Sequence, residues 1–84
     1  RMVKELNDDN FNEIINQEGL SVVDFWAPWC GPCKTLGPII DEAAEANINI
    51  NICKVNVSEH TELAKSMNVR SIPAIKFFKK EELL

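Results

Sequence analysis

The sequence predicts a single α/β domain in which short strands alternate with helices around a largely parallel sheet. Its 84 residues fall below the usual size of one domain, so residues 1–84 leave no room for a second. With 45% hydrophobic and 26% charged residues, the composition is that of an ordinary soluble globular domain. Apolar residues recur at helical spacing in some segments and form nearly continuous runs in others, which is typical of helices packed on buried strands.

The first two predicted elements are a short strand, Met2 to Leu6, and an amphipathic helix. Asn7 is the expected N-cap, because its side-chain oxygen can accept hydrogen bonds from the free amides at the start of the helix. Three apolar residues at positions i, i+3 and i+4 give this helix an apolar stripe: Phe11, Ile14 and Ile15. We expect the helix to end near Gly19.

The second strand is predicted over Leu20 to Trp26, a segment that is β-branched, aromatic and almost continuously apolar. Such a run is typical of a strand that is buried on both faces of a largely parallel sheet. We therefore place this strand at the centre of the sheet.

A second helix is predicted from Cys33 to about Ala46. Four apolar residues repeat at helical spacing within it: Leu36, Ile39, Ile40 and Ala43. Pro38 lies inside this segment and should kink the helix, because proline removes one backbone hydrogen bond.

The last three elements continue the alternation. Ile48 to Val57 is the next predicted strand, Ser58 is the expected cap of a short helix around Glu59 to Met67, and Ala74 to Phe78 is a final strand after Pro73. The predicted order is βαβαβαβ. Sheets of this kind place reactive groups just beyond the carboxyl ends of their strands, so the turn after the second strand is a candidate site.

Charge and cysteine usage exclude several function classes. Nine lysines and arginines against 13 acids give a net charge of −4, and the scattered basic residues offer no stripe for a phosphate backbone, so we expect no nucleic acid. No apolar run approaches the roughly 20 residues needed to cross a bilayer, so we expect no membrane partner. Three cysteines, an odd number, do not resemble a secreted disulfide framework, and we expect a reducing, cytoplasmic location.

The residues Cys30-Gly31-Pro32-Cys33 carry the chemistry. Residues at i and i+3 on the first turn of a helix have Cα atoms about 5 to 5.5 Å apart, which suits a disulfide. If Cys30 is the N-cap, Pro32 has no N–H to offer, so the amide of Cys33 is the donor to its sulfur. That donor and the helix dipole should lower the pKa of the Cys30 thiol and make it the nucleophile, with Cys33 as a buried thiol that resolves the mixed disulfide.

The segment from Val22 to Lys34, with its Trp-Cys-Gly-Pro-Cys-Lys core, and the later Ser71-Ile72-Pro73 together resemble the thioredoxin family from about Val3 to Lys79. The resemblance implies a thioredoxin fold, a central mixed sheet flanked by helices. It implies a thiol-disulfide oxidoreductase that reduces disulfides in protein substrates, needs no bound cofactor and is recharged by a flavin-dependent thioredoxin reductase.

The same resemblance assigns roles to further residues. Asp24 matches the family's buried carboxylate, thought to act as base or proton relay for the second cysteine, and Lys54 matches the lysine that modulates it. Burial should raise the pKa of Asp24 unless Lys54 offsets the desolvation. Pro73 matches a cis-proline that abuts the disulfide. The implied docking surface consists of five residues: Trp29, Gly31, Pro32, Ile72 and Pro73.

Two alternatives remain open from the residues. Cys30, Cys33, Cys53 and His60 could form a Cys₃His structural zinc site, although the single cysteine pair lacks a matching second pair. A truncated, redox-incompetent thioredoxin-fold binding module could use the docking surface alone. Cys53 by itself is most readily interpreted as a small buried hydrophobe.

The sequence departs from the family at its carboxyl end. Members of the family continue with a final strand and a long helix, whereas this chain stops at Leu84. The segment from Lys79 to Glu82 also has no glycine to supply a positive φ, which makes the hairpin doubtful. We therefore expect a fold truncated at the C-terminus, with an uncovered sheet that favours dimerisation, unless a continuation or partner covers it.

Overall fold

The computed structural model describes residues 3–80 and 82–84, so Met2, where the first strand is predicted to begin, lies outside the described residues. Eight elements follow one another along the chain: β1 (Lys4–Leu6), α1 (Phe11–Ile15), β2 (Leu20–Trp26), α2 (Gly31–Ala46), β3 (Asn51–Asn56), α3 (Thr61–Ser66), β4 (Ala74–Lys79) and β5 (Glu82–Leu83). The predicted alternation of strands and helices is confirmed through β4.

The strands form one five-stranded mixed sheet in the order β1-β3-β2-β4-β5. β1 and β2 run parallel to β3, whereas β4 runs antiparallel to β2. The antiparallel register places Ala74, the first residue of β4, opposite Phe25 near the carboxyl end of β2. The mixed sheet flanked by helices, which the resemblance implied, is confirmed.

The central strand β2 has the predicted bounds, Leu20–Trp26, and the predicted place in the sheet. Three consecutive residues are buried, so both faces of this strand are covered: Val23, Asp24 and Phe25. A polar residue in the middle of such a strand is the exception that the sequence singled out.

The two faces of the sheet pack against different helices. On one face Val23 and Phe25 belong to a buried cluster with Phe11 and Ile15 of α1, and the half-buried Leu63 of α3 packs against this cluster. The Phe11 ring meets Phe78 of β4 edge to face, with the ring centroids 5.9 Å apart. On the opposite face, Ile40 and Ala44 of α2 pack against Ile52 of β3.

Helix α1 begins later than the sequence predicted. Asn7 does accept a hydrogen bond from the Asn10 amide at 2.9 Å, and the Asn10 side chain accepts in return from the Asn7 amide at 2.7 Å. This reciprocal pair closes a turn in front of the helix, which starts only at Phe11. The N-cap of the helix is therefore Asn10 and not the expected Asn7, and Gly19, with φ of 88°, lies beyond the end of the helix.

The prediction that Ser58 caps α3 is wrong. Asn56 accepts hydrogen bonds from both the amide and the hydroxyl of Ser58, at 3.0 and 2.7 Å. The Ser58 hydroxyl is therefore engaged in a side-chain turn with Asn56 and does not cap the helix. Helix α3 begins only after His60. Residues 48–50, assigned to a strand from their apolar character, also lie outside β3.

The doubt about the C-terminal hairpin is also wrong. Phe78 pairs with Leu83 and Lys79 with Glu82, so a final strand is begun, although it is short. Lys80 adopts a φ of 50° without glycine, and its ammonium lies 2.8 Å from the Glu18 carboxylate. Lys80 therefore supplies the positive φ that the turn needs.

One part of the sheet face that carries α2 stays open. The β4 side chains Ile75 and Phe77 lie on this face and are exposed, because α2 covers the side of β2 and β3 instead. Within residues 3–80 and 82–84, every helix is too short or too polar to span a bilayer.

Candidate functional site

The two cysteines of the motif lie at the start of α2, just after the turn that follows β2. The Cys30 amide donates to the Ala27 carbonyl at 3.1 Å, which closes the turn after the strand. Cys30 itself has extended backbone angles and is the N-cap of α2, and its Sγ accepts from the Cys33 amide at 3.2 Å. The predicted cap, with Pro32 unable to donate, is confirmed. Helix α2 consequently starts at Gly31, two residues earlier than the periodicity predicted.

Cys30 and Cys33 are joined by a disulfide, with their Cα atoms 5.2 Å apart. This separation lies in the usual range for disulfides and is that of i and i+3 on a helical turn. Cys30 is 6% exposed and Cys33 is 3% exposed. The bond can therefore open and close with the helix in place, and only a narrow part of it meets solvent.

Asp24 lies on β2, in the sheet face that carries α2. Its side chain is buried, at 3% exposure, and its Oδ1 has no hydrogen-bond partner among the described residues. Desolvation by burial raises the pKa of the carboxyl group, and the positive charge of Lys54 offsets only part of this rise. The expectation of a raised pKa is confirmed, with incomplete compensation by the lysine.

Lys54 is paired in register with Asp24 across β2 and β3. Its ammonium lies 3.6 Å from Glu5 Oε2 on the neighbouring strand and 5.1 Å from the centre of the Trp26 ring. The family resemblance linked Lys54 with Asp24, as the register confirms. It did not indicate that the Glu5 carboxylate lies on the other side of Lys54.

Four of the five residues of the expected docking surface are placed near the disulfide, three by their position in the chain beside Cys30 and Ile72 by packing. Trp29 is 71% exposed, and Gly31 and Pro32 are exposed at the start of α2. Ile72 is half-buried against the cluster that contains both cysteines, and its peptide bond to Pro73 is cis, as the resemblance implied. Trp26, by contrast, packs into that same cluster.

A groove of about 290 Å³ extends the docking surface along α3. Trp29 and Ile72 of the docking surface line it, and so do three further apolar side chains: Val57, Ala64 and Val69. The exposed side chains of Lys65 and Arg70 stand at its rim. Sequence reasoning missed this groove, because apolar residues from several elements are indistinguishable from core positions until the fold joins them.

The residues of the zinc alternative do not gather into one site. The described ranges contain no group of three or more histidines, cysteines or acids that could hold a metal ion. Cys53 is fully buried on the other face of the sheet, and burial raises its pKa to about 11. Its interpretation as a buried hydrophobe is confirmed.

Comparison with known proteins agrees with this geometry. A family model described as thioredoxin matches residues 2–84. The chain is 45% identical over 82 residues to an M-type chloroplastic thioredoxin of Spinacia oleracea, covering 95% of this chain and 45% of that protein. It thus spans about half the length of that relative.

Other relatives are matched over most of their length. The chain is 43% identical over 83 residues to a thioredoxin of Rickettsia typhi, covering 96% of this chain and 79% of that protein. A solved structure of Plasmodium falciparum thioredoxin superposes with a TM-score of 0.92 at 35% identity, covering 98% of this chain and 81% of that one. Sequence, fold and the disulfide at the start of α2 agree, and the chain belongs to the thioredoxin family.

Proposed function

We propose that this chain is a single thioredoxin domain that reduces disulfides in protein substrates by dithiol-disulfide exchange. One observation carries the proposal: a disulfide-bonded Cys30–Cys33 pair at the start of a 16-residue helix, with the Cys30 sulfur accepting a hydrogen bond from the Cys33 amide. That amide and the positive end of the helix stabilise negative charge on the Cys30 sulfur once the disulfide is reduced.

In the first step the Cys30 thiolate attacks one sulfur of the substrate disulfide. A Cys30–substrate disulfide forms, and the other substrate sulfur leaves as a thiolate that takes up a proton. We assign Cys30 as the attacking residue because it is the helix N-cap and its sulfur accepts the Cys33 amide hydrogen bond, whereas Cys33 lies inside the first turn.

In the second step Cys33 attacks the Cys30 sulfur and the second substrate sulfur leaves. Cys33 must first lose its proton, and we assign Asp24 as the base, directly or through a relay. Its carboxylate is buried on the face of the sheet that α2 covers, and its raised pKa makes it a stronger base than an ordinary aspartate. Lys54 tunes the charge on Asp24. The net result transfers two electrons from the dithiol to the substrate.

The substrate docks on the surface around the disulfide. Trp29, Gly31, Pro32, Ile72 and Pro73 form the apolar contact, and the groove along α3 receives an extended segment that flanks the substrate disulfide. The exposed and apolar character of Trp29 supports this role, since large exposed aromatic residues are common at binding surfaces.

The cycle needs an electron source. We assign recharging of the Cys30–Cys33 disulfide to a thioredoxin reductase, and electron transport in a reducing, cytoplasmic compartment as the setting. The free Cys53, which has no disulfide partner among the described residues, is compatible with such a compartment. The chain acts through its own dithiol, with no bound cofactor.

We also propose that two copies associate through the open part of the sheet. The exposed Ile75 and Phe77 form an apolar surface beside the short strand β5. Burying such a surface against a second copy removes apolar area from water. Sedimentation equilibrium should show a concentration-dependent dimer that Phe77→Ser weakens, and a well-folded monomer at high concentration would contradict this proposal.

The reduction of insulin disulfides by dithiothreitol tests the activity. The protein should accelerate the reaction over reductant alone, and Cys30→Ser should abolish the acceleration. No acceleration by the wild-type protein would instead indicate a binding module without redox activity.

Alkylation of the reduced protein across pH tests the assignment of the two cysteines. Cys30→Ser should remove a fast-reacting thiol of low pKa, whereas Cys33→Ser should keep that thiol and accumulate mixed disulfides with substrates. A Cys30 thiol that ionises no more readily than free cysteine, about pKa 8.5, would contradict the assigned roles.

A further inference from the structure

Three side chains form a row across one face of the sheet. Glu5 of β1 is in register with Lys54 of β3, and Lys54 is in register with Asp24 of β2. Side chains paired in register on neighbouring strands point to the same face, so one ammonium stands between two carboxylates. The two carboxylates differ, because Asp24 is buried whereas the Glu5 side chain is 72% exposed.

The Lys54 ammonium lies beside the outer carboxylate, that of Glu5. Lys54 Nζ lies 3.6 Å from Glu5 Oε2 and 5.1 Å from the centre of the Trp26 ring. The ring face favours a cation electrostatically, so Glu5 and Trp26 together stabilise this position of the ammonium. Asp24 Oδ1 meanwhile has no hydrogen-bond partner among the described residues.

We propose that Glu5 is a positioning residue, which holds the Lys54 ammonium towards the outer side of the row and so keeps it from neutralising the buried Asp24 carboxylate. The proposal rests on the proposed function of Asp24 as the base for Cys33. Glu5 touches neither cysteine nor substrate in this scheme. It acts only through Lys54.

The other neighbours of Asp24 leave Lys54 as its main charged partner. Ile75, in register on β4, carries no charge, and the charged residues of α2 are exposed. The cysteines at the start of α2 do not titrate while they are disulfide-bonded. Lys54 is accordingly the source of the charge that lowers the Asp24 pKa against the effect of burial.

Removing the Glu5 carboxylate frees Lys54 to approach Asp24. The carboxylate form of Asp24 is then stabilised, and its pKa falls. In Glu5→Gln we expect a fall of about half a pKa unit, which is the scale of a partly exposed ion pair. The measurement is an NMR titration of the Asp24 carboxyl carbon in the oxidised protein.

Glu18→Gln is the matched control, because it breaks another exposed Glu–Lys pair, with Lys80, far along the sheet. This control should leave the Asp24 titration unchanged. An unchanged titration in Glu5→Gln, or an equal shift in Glu18→Gln, would overturn the proposal.

A double variant separates positioning from the direct charge of Glu5. In a Lys54→Met background there is no ammonium to reposition, so adding Glu5→Gln should move the Asp24 pKa by less than half of the shift seen with Lys54 present. An equal shift in both backgrounds would show that Glu5 acts by its own charge, which overturns the positioning role.

The catalytic consequence is tested separately from the proposed function. Glu5→Gln should shift the pH dependence of insulin reduction towards lower pH, in step with the Asp24 titration. If Asp24→Asn keeps the wild-type rate at all pH values, the role of Asp24 as base fails, while the NMR titrations still decide whether Glu5 positions Lys54.

Discussion

Replacing Asp24 by asparagine should stabilise the fold at neutral pH, and the gain should disappear in acid. The side chain is 3% exposed and one of its oxygens has no hydrogen-bond partner among the described residues. Asparagine in this place is also a buried polar group, so the two side chains differ in the cost of burying a negative charge, about 1 to 3 kcal/mol once Lys54 has offset part of it. We expect Asp24→Asn to raise the free energy of unfolding by about 1 to 3 kcal/mol at pH 8. In a domain of this size, each kcal/mol corresponds to a rise in Tm of about 4 to 8 °C.

The sign of the pH dependence follows from the raised pKa. An unfolded aspartate titrates near pKa 3.9, and burial raises the pKa of Asp24 in the folded state above that value. Stability is therefore lost as pH rises from the unfolded pKa through the folded one, and the full penalty applies above the folded pKa. Below about pH 3.9 the carboxyl group is protonated in both states, so the variant and the wild type should converge.

Urea unfolding of the oxidised protein, followed by circular dichroism between pH 3.5 and 8, measures this difference. Asp41→Asn is the matched control, because the same chemical change is made at an exposed position of α2. It should change the free energy of unfolding by less than about 0.5 kcal/mol. A difference between Asp24→Asn and wild type that stays constant with pH would refute the reasoning, since an asparagine that merely packs differently has no titration.

Three more predictions concern packing, docking and backbone geometry. Phe78→Ala should cost about 3 to 5 kcal/mol in urea unfolding, because the ring is 2% exposed, whereas Phe77→Ala, at 43% exposure, should cost under about 1 kcal/mol. Trp29→Ala should raise the KM for insulin without changing the rate with a small aromatic disulfide, and an equal loss with both substrates would argue against docking. Gly19→Ala should destabilise by about 1 to 2 kcal/mol, since φ is 88° there, whereas Gly37→Ala inside α2 should stabilise by about 0.5 to 1 kcal/mol. Two losses of equal size by thermal unfolding would contradict the backbone explanation.

The sequence was most informative where one physical requirement dominated. The bounds of β2 were predicted because a strand covered on both faces must be apolar nearly throughout, and the polar exception, Asp24, was recognisable for the same reason. The cap at Cys30 was predictable because Pro32 leaves only one amide that can donate to the sulfur.

The sequence was least informative where local alternatives compete at similar energy. Asn7 and Ser58 are both good cap residues, yet each takes part in a side-chain turn that moves the helix start further along the chain. Lys80 shows the same limit, because a non-glycine residue adopts positive φ where the hairpin and an ion pair with Glu18 hold it. Such outcomes depend on contacts between elements that are distant in sequence.

The antiparallel direction of β4 has a consequence for the start of α2. Because β4 runs antiparallel to β2, the beginning of β4, not its end, lies at the edge of the sheet where α2 starts. Residues about 40 positions apart thereby become neighbours through the register of one strand pair. A two-residue slip of that register would let the two strands re-form their hydrogen bonds. It would nevertheless move Ile72, which packs against the cluster that contains both cysteines, about 7 Å along β2. The position of Ile72 relative to the Cys30–Cys33 disulfide thus depends on the register of β2 and β4 as much as on the motif that contains the cysteines.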